Sequence, residues 1–400
     1  MEEAAYFESV NQSLGQHERA IPFFLIDLDR LDENIRTLNF SIQGRKAFRI
    51  VVKSLPSFDL LRYLSDRIQT NRYMVFHEPI LSKLTEQLDD QADILLGKPM
   101  PAKTAYYFYQ HFSGEGNFDP YHQIQWLVDS EERLQQYIQL SKRLKQRLRI
   151  NLEIDVGLHR GGFTSELELD RTLSIIKNVP DWISFSGLMG YDPHVVKVPG
   201  WLQSHKKALQ NSNAFYAECI SMIQTKHPSL WHEELTLNGA GSPTLPLHLE
   251  DSPLNELAAG SCLLKPTSFD LATLEDYQPA CYIATPILKK LKHTQLPGLE
   301  KGAKLLSLGK SQLQNSYFIY GGHWKADYCF PEDASENKLF GPSTNQSMIN
   351  TRKSDLQIDD FVFLRPQQSE QVMLQFEQIL TIRNQKIQKI WYPIRPTTLD

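Results

Sequence analysis

The sequence predicts an α/β protein: a (β/α)8 barrel of the TIM type followed by a smaller, mostly antiparallel β domain. Three observations carry this expectation. Apolar strand-like runs alternate with amphipathic segments from residue 23 to residue 237, which implies a parallel sheet covered on both faces. No Gly-x-Gly-x-x-Gly follows the first run, and this weakens the dinucleotide-binding form of the structural alternative, a doubly wound open sheet. After about residue 270 helical spacing fades, and short β-rich runs separated by Pro and Gly take over.

Residues 1–21 read as a polar, acidic lead-in with room for one helix. Pro22 then opens Phe23–Asp29, a nearly continuous apolar strand with acids at its end. Leu31, Ile35 and Leu38 continue it with helical spacing. Further strand candidates are Phe48–Lys53, Tyr73–Phe76, Ile94–Leu96, Ile124–Val128, Leu148–Val156, Ile183–Met189 and Leu235–Leu237. With the Phe23 run they make eight, the number a TIM barrel needs. Amphipathic segments such as Ser130–Leu148 and Leu202–Gln224 lie between them. The barrel is accordingly expected over 22–270 and the β domain over 271–400. Strands of the latter are expected at Ala280–Leu288, Lys304–Leu308, Tyr317–Tyr320, Phe361–Leu364, Val372–Phe376, Gln378–Ile382 and Lys389–Tyr392, with a long polar loop at Asp333–Asn350.

The totals narrow the function classes. The 400 residues, 41% hydrophobic and 22% charged, suit a globular protein with a large core. A net charge of −5 offers no basic footprint for nucleic acid. The 4 cysteines are widely spaced with no CxxC pair, which argues against a disulfide scaffold and fits a reducing compartment. The N-terminus does not read as a signal peptide and no run is long enough for a membrane span, so the cytoplasm is the expected location.

Five segments carry chemistry. Phe48–Ser57 places β-branched Ile50, Val51 and Val52 before Lys53. A lysine at the carboxyl end of a barrel strand stands where such barrels keep reactive groups. Burial would disfavour its ammonium form and leave an amine able to form a Schiff base; the bland alternative is a lysine snorkelling from a strand end. Ile150–Gly162 alternates acids with apolar residues and breaks into glycines around His159 and Arg160. Glu153 and Asp155 share a face there, and their expected partners are Arg or Lys from other strands. Phe185–His194 delivers Tyr191 and His194 to one loop. Asn238-Gly239-Ala240-Gly241-Ser242-Pro243-Thr244 can form a nest of backbone N–H groups for a phosphate. A second Gly-Ser pair, Gly260-Ser261, lies just before the change of texture.

In this order these segments resemble the fold-type III pyridoxal 5'-phosphate (PLP) enzymes of the alanine racemase N-terminal-domain superfamily. The likeness is greatest to the branch of D-threonine aldolase and D-serine dehydratase. It rests on IDLDRLDENI, the VVKS lysine, EIDVGLHRGG, GLMGYDPH, NGAGSPT and NELAAGSC, and covers about residues 21–265. The resemblance implies a PLP-dependent enzyme acting on an amino acid, of D configuration as in that branch, as a lyase, aldolase or dehydratase; an amino-acid racemase or a non-catalytic PLP carrier is the alternative. It implies that Lys53 is the Schiff-base lysine, that Arg160 lies beside the ring's 3-oxygen or the substrate carboxylate, and that Tyr191 lies near the pyridine nitrogen. His194 matches a histidine near the barrel mouth. Asn238, Gly239, Gly241, Ser242, Gly260 and Ser261 match the phosphate cradle. A homodimer is implied as well, since the C-terminal domain of one subunit commonly closes its partner's barrel. One departure stands out. Where those lyases carry a metal-binding His-x-Cys or His-x-Asp pair, this chain has Gln368-Ser369-Glu370. An amide oxygen is a poor zinc ligand, so metal-independent chemistry is expected, with Gln368, Ser369 and Glu370 lining a substrate pocket. His323 is a further candidate there or, with Lys325, a second acid/base. Strand spacing would also put His323, Asp327 and Cys329 on one face, as a replacement metal site would require.

Overall fold

The computed structural model describes residues 2–395, apart from 115, 200, 202, 292–293, 295–314 and 353–354. The expected strand at Lys304–Leu308 lies outside the described residues. The chain divides into two compact units that interleave in sequence. One comprises Met1–Asn34, Leu263–Asp270 and Asp276–Pro393; the other comprises Ile35–Cys262, Leu271–Glu275 and Ile394–Asp400.

The first strand, β1 (Phe23–Asp27), belongs to the former unit and not to the barrel, which corrects the strand count made from sequence. It pairs with the strands Cys281–Leu291 and Ile379–Arg383. The barrel is closed by β2 (Ala47–Val51), β3 (Arg72–Val75), β4 (Asp93–Leu96), β5 (Ile124–Val128), β6 (Leu148–Glu153), β7 (Ile183–Gly190), β8 (Thr236–Gly239) and β9 (Glu256–Ala259). The eighth strand is thus β9, which leads into the Gly260-Ser261 pair and was not among the expected strands. All eight pairings are parallel. Serines start several of the intervening helices: Ser57, Ser130, Ser165 and Ser204 each accept a hydrogen bond from a backbone N–H of the first turn.

The barrel interior is polar at its amino-terminal end. Arg49, fully buried, binds Glu256 through Nε and Asp93 through Nη2 at 2.5 and 2.6 Å. Arg72 adds a bond to Glu256 at 2.6 Å and Arg149 one to Asp93 at 2.9 Å. Gln125 donates to Asp93 and Thr236, Asn151 donates to Gln125, and Asn238 donates to Glu256. Burial alone would raise the Asp93 carboxyl, but Arg49 and Arg149 outweigh it and hold it at about 2.

In the other unit a nine-stranded sheet runs in the order β13-β14-β11-β10-β1-β16-β17. These strands are β10 (Cys281–Leu291), β11 (Asn315–Tyr320), β13 (Ser335–Glu336), β14 (Gln346–Thr351), β16 (Ile379–Arg383) and β17 (Lys386–Trp391). β15 (Phe361–Pro366) pairs with β10 and with β12 (Ala326–Phe330). The lead-in is the helix Glu2–Leu14, whose Phe7, Val10 and Leu14 enter one apolar cluster with Phe23, Leu25, Tyr282, Phe361 and Phe363. The acids after β1 are structural at Asp27, which accepts from Asp29 N, Arg30 N and Tyr6 Oη.

Two local expectations are corrected. Val372–Phe376 is not a strand: its first two residues end the helix Ser369–Met373, in which Ser369, Val372 and Met373 are buried with the i, i+3, i+4 spacing of a helix face. Asp333–Asn350 is not one loop, because it holds β13 and most of β14. Buried Asn337 and Asn350 join Thr294 and Ser316 in a satisfied polar cluster. No helix among the described residues is long and apolar enough to cross a membrane.

Candidate active site

The carboxyl ends of the barrel strands gather most of the barrel residues singled out from sequence. Lys53 lies in a single 3-10 turn, Val52–Ser54, immediately after β2. Val52 and Ser54 are buried and Lys53 is half-buried. Its Nζ stands 4.6 Å from the centroid of the Phe76 ring. Phe76 lies flat against Gly97, where any Cβ would collide with the ring. Neither residue was singled out from sequence, because an aromatic and a glycine after two strands carry no motif.

The turn holding Lys53 is tied to the loop after β9. Ser261 Oγ donates to Ser54 Oγ at 3.0 Å, and a Cβ on Gly260 would stand 2.8 Å from the Val51 carbonyl oxygen. Ser242 joins this loop to the one after β8: its Oγ accepts from Cys262 N at 3.0 Å and from Gly260 N at 3.4 Å. The N–H groups of Gly241 and Ser242 have no acceptor among the described residues. Two such donors side by side fit an anion such as a phosphate. Asn238 is engaged elsewhere, through its bond to Glu256 inside the barrel. The missing side chain of Gly239 lets β8 pack against Leu254 and the Gly190 carbonyl.

The loop after β7 adds Tyr191. Its ring lies against Gly241, where a Cβ would be 2.7 Å from Cε2, and Arg160 Cζ stands 4.9 Å from its centroid. Arg160 is exposed, on a turn in which Gly161 and Gly162 take φ values of 154° and 95°. Asp155 does not find a cation from another strand, as expected from sequence; it accepts from Gly157 N, His159 N and His159 Nδ1, and so shapes its own loop. Glu153, at the end of β6, is 8% exposed, and its carboxylate has no hydrogen-bond partner among the described residues. Burial pushes its carboxyl up to about 7; Arg160 opposes that shift, while Asp129 and Asp155 add to it. His194 supports the same loop from below. A Cβ on Gly157 would stand 2.9 Å from its Nε2, which lies 3.4 Å from Ser212 Oγ. Burial lowers the imidazole's pKa.

The candidates in the sheet unit divide differently. His323 is not on β12; it sits in the turn before it at φ 57°, so it does not share a strand face with Asp327 and Cys329. Asp327 is bound by Thr267 Oγ1 and Gln367 Nε2 at 2.7 and 2.9 Å. Cys329 packs on the apolar cluster, and burial raises its thiol pKa. Gln368 is exposed at the N-cap of the helix Ser369–Met373, Ser369 is buried and Glu370 half-buried. No three His, Cys, Asp or Glu side chains converge on a metal-sized site among the described residues.

Comparison with known proteins adds three findings. The family model described as "Alanine racemase, N-terminal domain" matches residues 26–267. No similar sequence is found among curated proteins. Among solved structures, D-threonine aldolase from Filomicrobium marinum is similar at a TM-score of 0.73 and 13% identity, over 94% of this chain and 98% of that one. D-threo-3-hydroxyaspartate dehydratase from Delftia sp. HT23 is similar at 0.70 and 13%, over 95% and 98%. The alanine racemase of Bacillus anthracis is similar at 0.67 and 12%, over 94% and 98%.

Proposed function

The chain belongs to the alanine racemase N-terminal-domain family, whose members are pyridoxal 5'-phosphate enzymes of amino-acid chemistry, and from that premise we propose a lyase, aldolase- or dehydratase-like, acting on a D-amino acid without a metal. The observation that carries this reading is the convergence at one barrel mouth of Lys53, the unaccepted N–H groups of Gly241 and Ser242, and the Ser54–Ser261 bond between them. The residues fit the cofactor: two orphan donors suit its phosphate, and an amine lies in the adjoining turn.

When bound, PLP supplies an electron sink for a bond broken at the α-carbon of an amino acid. Gly241 and Ser242 hold the phosphate by their N–H groups. Tyr191, packed on Gly241, forms an aromatic wall. Arg160 holds the substrate carboxylate or the ring's 3-oxygen. Lys53 takes and returns a proton at Nζ, the role a positioned amine performs in general acid–base catalysis. The D configuration is supported by the D-threonine aldolase and D-threo-3-hydroxyaspartate dehydratase named above, whose names both carry it. Metal independence is supported by Gln368 and Glu370, which stand where that branch has its ligand pair. His323, Lys325 and the 368–370 segment are proposed to face the substrate, and a homodimer is proposed as the working assembly.

Borohydride reduction of the PLP-loaded protein followed by peptide mapping is expected to place a pyridoxyl group on Lys53. Lys53→Ala is expected to lose that label and all turnover of a panel of β-hydroxy D-amino acids followed by mass spectrometry. A label on another residue, or a wild type that takes up no PLP, would overturn the reading.

A further inference from the structure

A buried chain of hydrogen bonds runs behind the cradle and is not used by the chemistry above. Thr244 Oγ1 donates to Asp192 Oδ1 at 2.7 Å. Asp192 Oδ2 meets His248 Nε2 at 2.7 Å, and His248 Nδ1 meets Ser252 Oγ at 2.9 Å. Thr244 is 0% exposed, and Asp192 and His248 are each 2% exposed. These groups come from three successive segments: Asp192 follows Tyr191 after β7, Thr244 closes the turn of Gly241 and Ser242, and Ser252 precedes β9. The turn itself is tight, since Thr244 N and Leu245 N both donate to Gly241 O, at 3.0 and 2.8 Å.

We propose that Thr244, Asp192 and His248 are positioning residues that lock the Tyr191 loop onto the Gly241–Ser242 turn and thereby set the phosphate cradle. The inference rests on the PLP reading of this site. Its physical basis is that a buried carboxylate is costly unless each oxygen is satisfied. Both oxygens of Asp192 are satisfied, one by Thr244 and one by His248, four residues apart in the connection between β8 and β9. Freed from Asp192, Thr244 no longer fixes where Ser242 stands two residues earlier. The Tyr191 ring then loses its register on Gly241, a contact that tolerates no side chain. Groups that touch no ligand but orient those that do commonly hold a site to its working geometry.

The test uses the full chain loaded with PLP. Thr244→Val keeps the shape of the side chain and removes the hydroxyl; Thr244→Ser restores it. The dissociation constant for PLP, read by its visible absorption, is expected to rise about ten-fold in Thr244→Val, the loss of roughly one hydrogen bond. The phosphorus-31 resonance of bound PLP is expected to move in Thr244→Val and to return to its wild-type position in Thr244→Ser. Ser252→Ala, at the half-buried end of the chain, is expected to move the same resonance by less, and serves if Thr244→Val does not fold. Wild-type affinity and an unmoved resonance in Thr244→Val, or in Ser252→Ala when that variant stands in for it, overturn the proposal, whatever the change in melting temperature. So does a serine variant no better than the valine one. A wild type that binds no PLP overturns the functional reading instead, and this inference with it.

Discussion

Glu153 shows how much one residue owes to its surroundings. The sequence places it on a strand beside Asp155 and calls for cations from other strands. In the fold Asp155 turns to its own loop, and Glu153 is left buried with only Arg160 opposing its desolvation. Its carboxyl therefore titrates near 7, above the ordinary value of 4.5. The folded protein holds this proton where the unfolded chain has released it, so stability falls as pH rises from about 4.5 to about 7. Glu153→Gln cannot ionise. Its melting temperature is expected to exceed that of the wild type at pH 8 by a few degrees, on the order of 3 °C, and to match it at pH 4. A calorimetric pH series in the absence of PLP checks this; an equal difference at both pH values would refute it.

Among the elements, β7 carries the sharpest constraint. Its pairing with β6 slips by one residue between Ile150 and Asn151, which pushes Ser186 out of register and leaves Gly187 opposite Asn151. Gly187 has φ 139°, and a Cβ there would run into the backbone of Thr236 on β8. Gly187→Ala is expected to cost at least about 3 kcal/mol, from strain and overpacking together. A urea midpoint within error of the wild type would remove the claim. The strand misassignments also belong at this scale. Phe23–Asp27 and Glu256–Ala259 are short, apolar and equally plausible as barrel strands. Local pattern cannot say which sheet these two join, because each is buried along its whole length.

For the molecule as a whole, barrel closure rests on the network around Arg49. Through Glu256, Asp93, Gln125, Asn151, Thr236, Asn238 and Arg72 it reaches every barrel strand except β7. Arg49→Met would leave two buried carboxylates short of their cation, and a loss of about 3–5 kcal/mol is expected in denaturant unfolding. A loss under about 1 kcal/mol would mean that the remaining arginines suffice. The same network sets an acid limit. Asp93 is held at about 2, below the roughly 3.9 of an unfolded aspartate; its contribution is therefore complete above about pH 4 and disappears as pH falls towards 2.

The fold class, the strand-end lysine and the glycine turns could be read from order and spacing alone, because each follows from a local pattern of residue type. The sequence also foretold that Lys53, Arg160, Tyr191 and Ser242 share one end of a barrel, since parallel βα units present every loop after a strand on the same face. It could not tell that β1 leaves the barrel, that His323 falls in a turn, or that Val372 and Met373 end a helix. Nor could it pair Asp192 with Thr244 and His248, or Arg49 with Glu256. Those partners are far apart along the chain, and whether a buried charge is neutralised or left alone depends on which distant side chain the closed barrel brings within 3 Å.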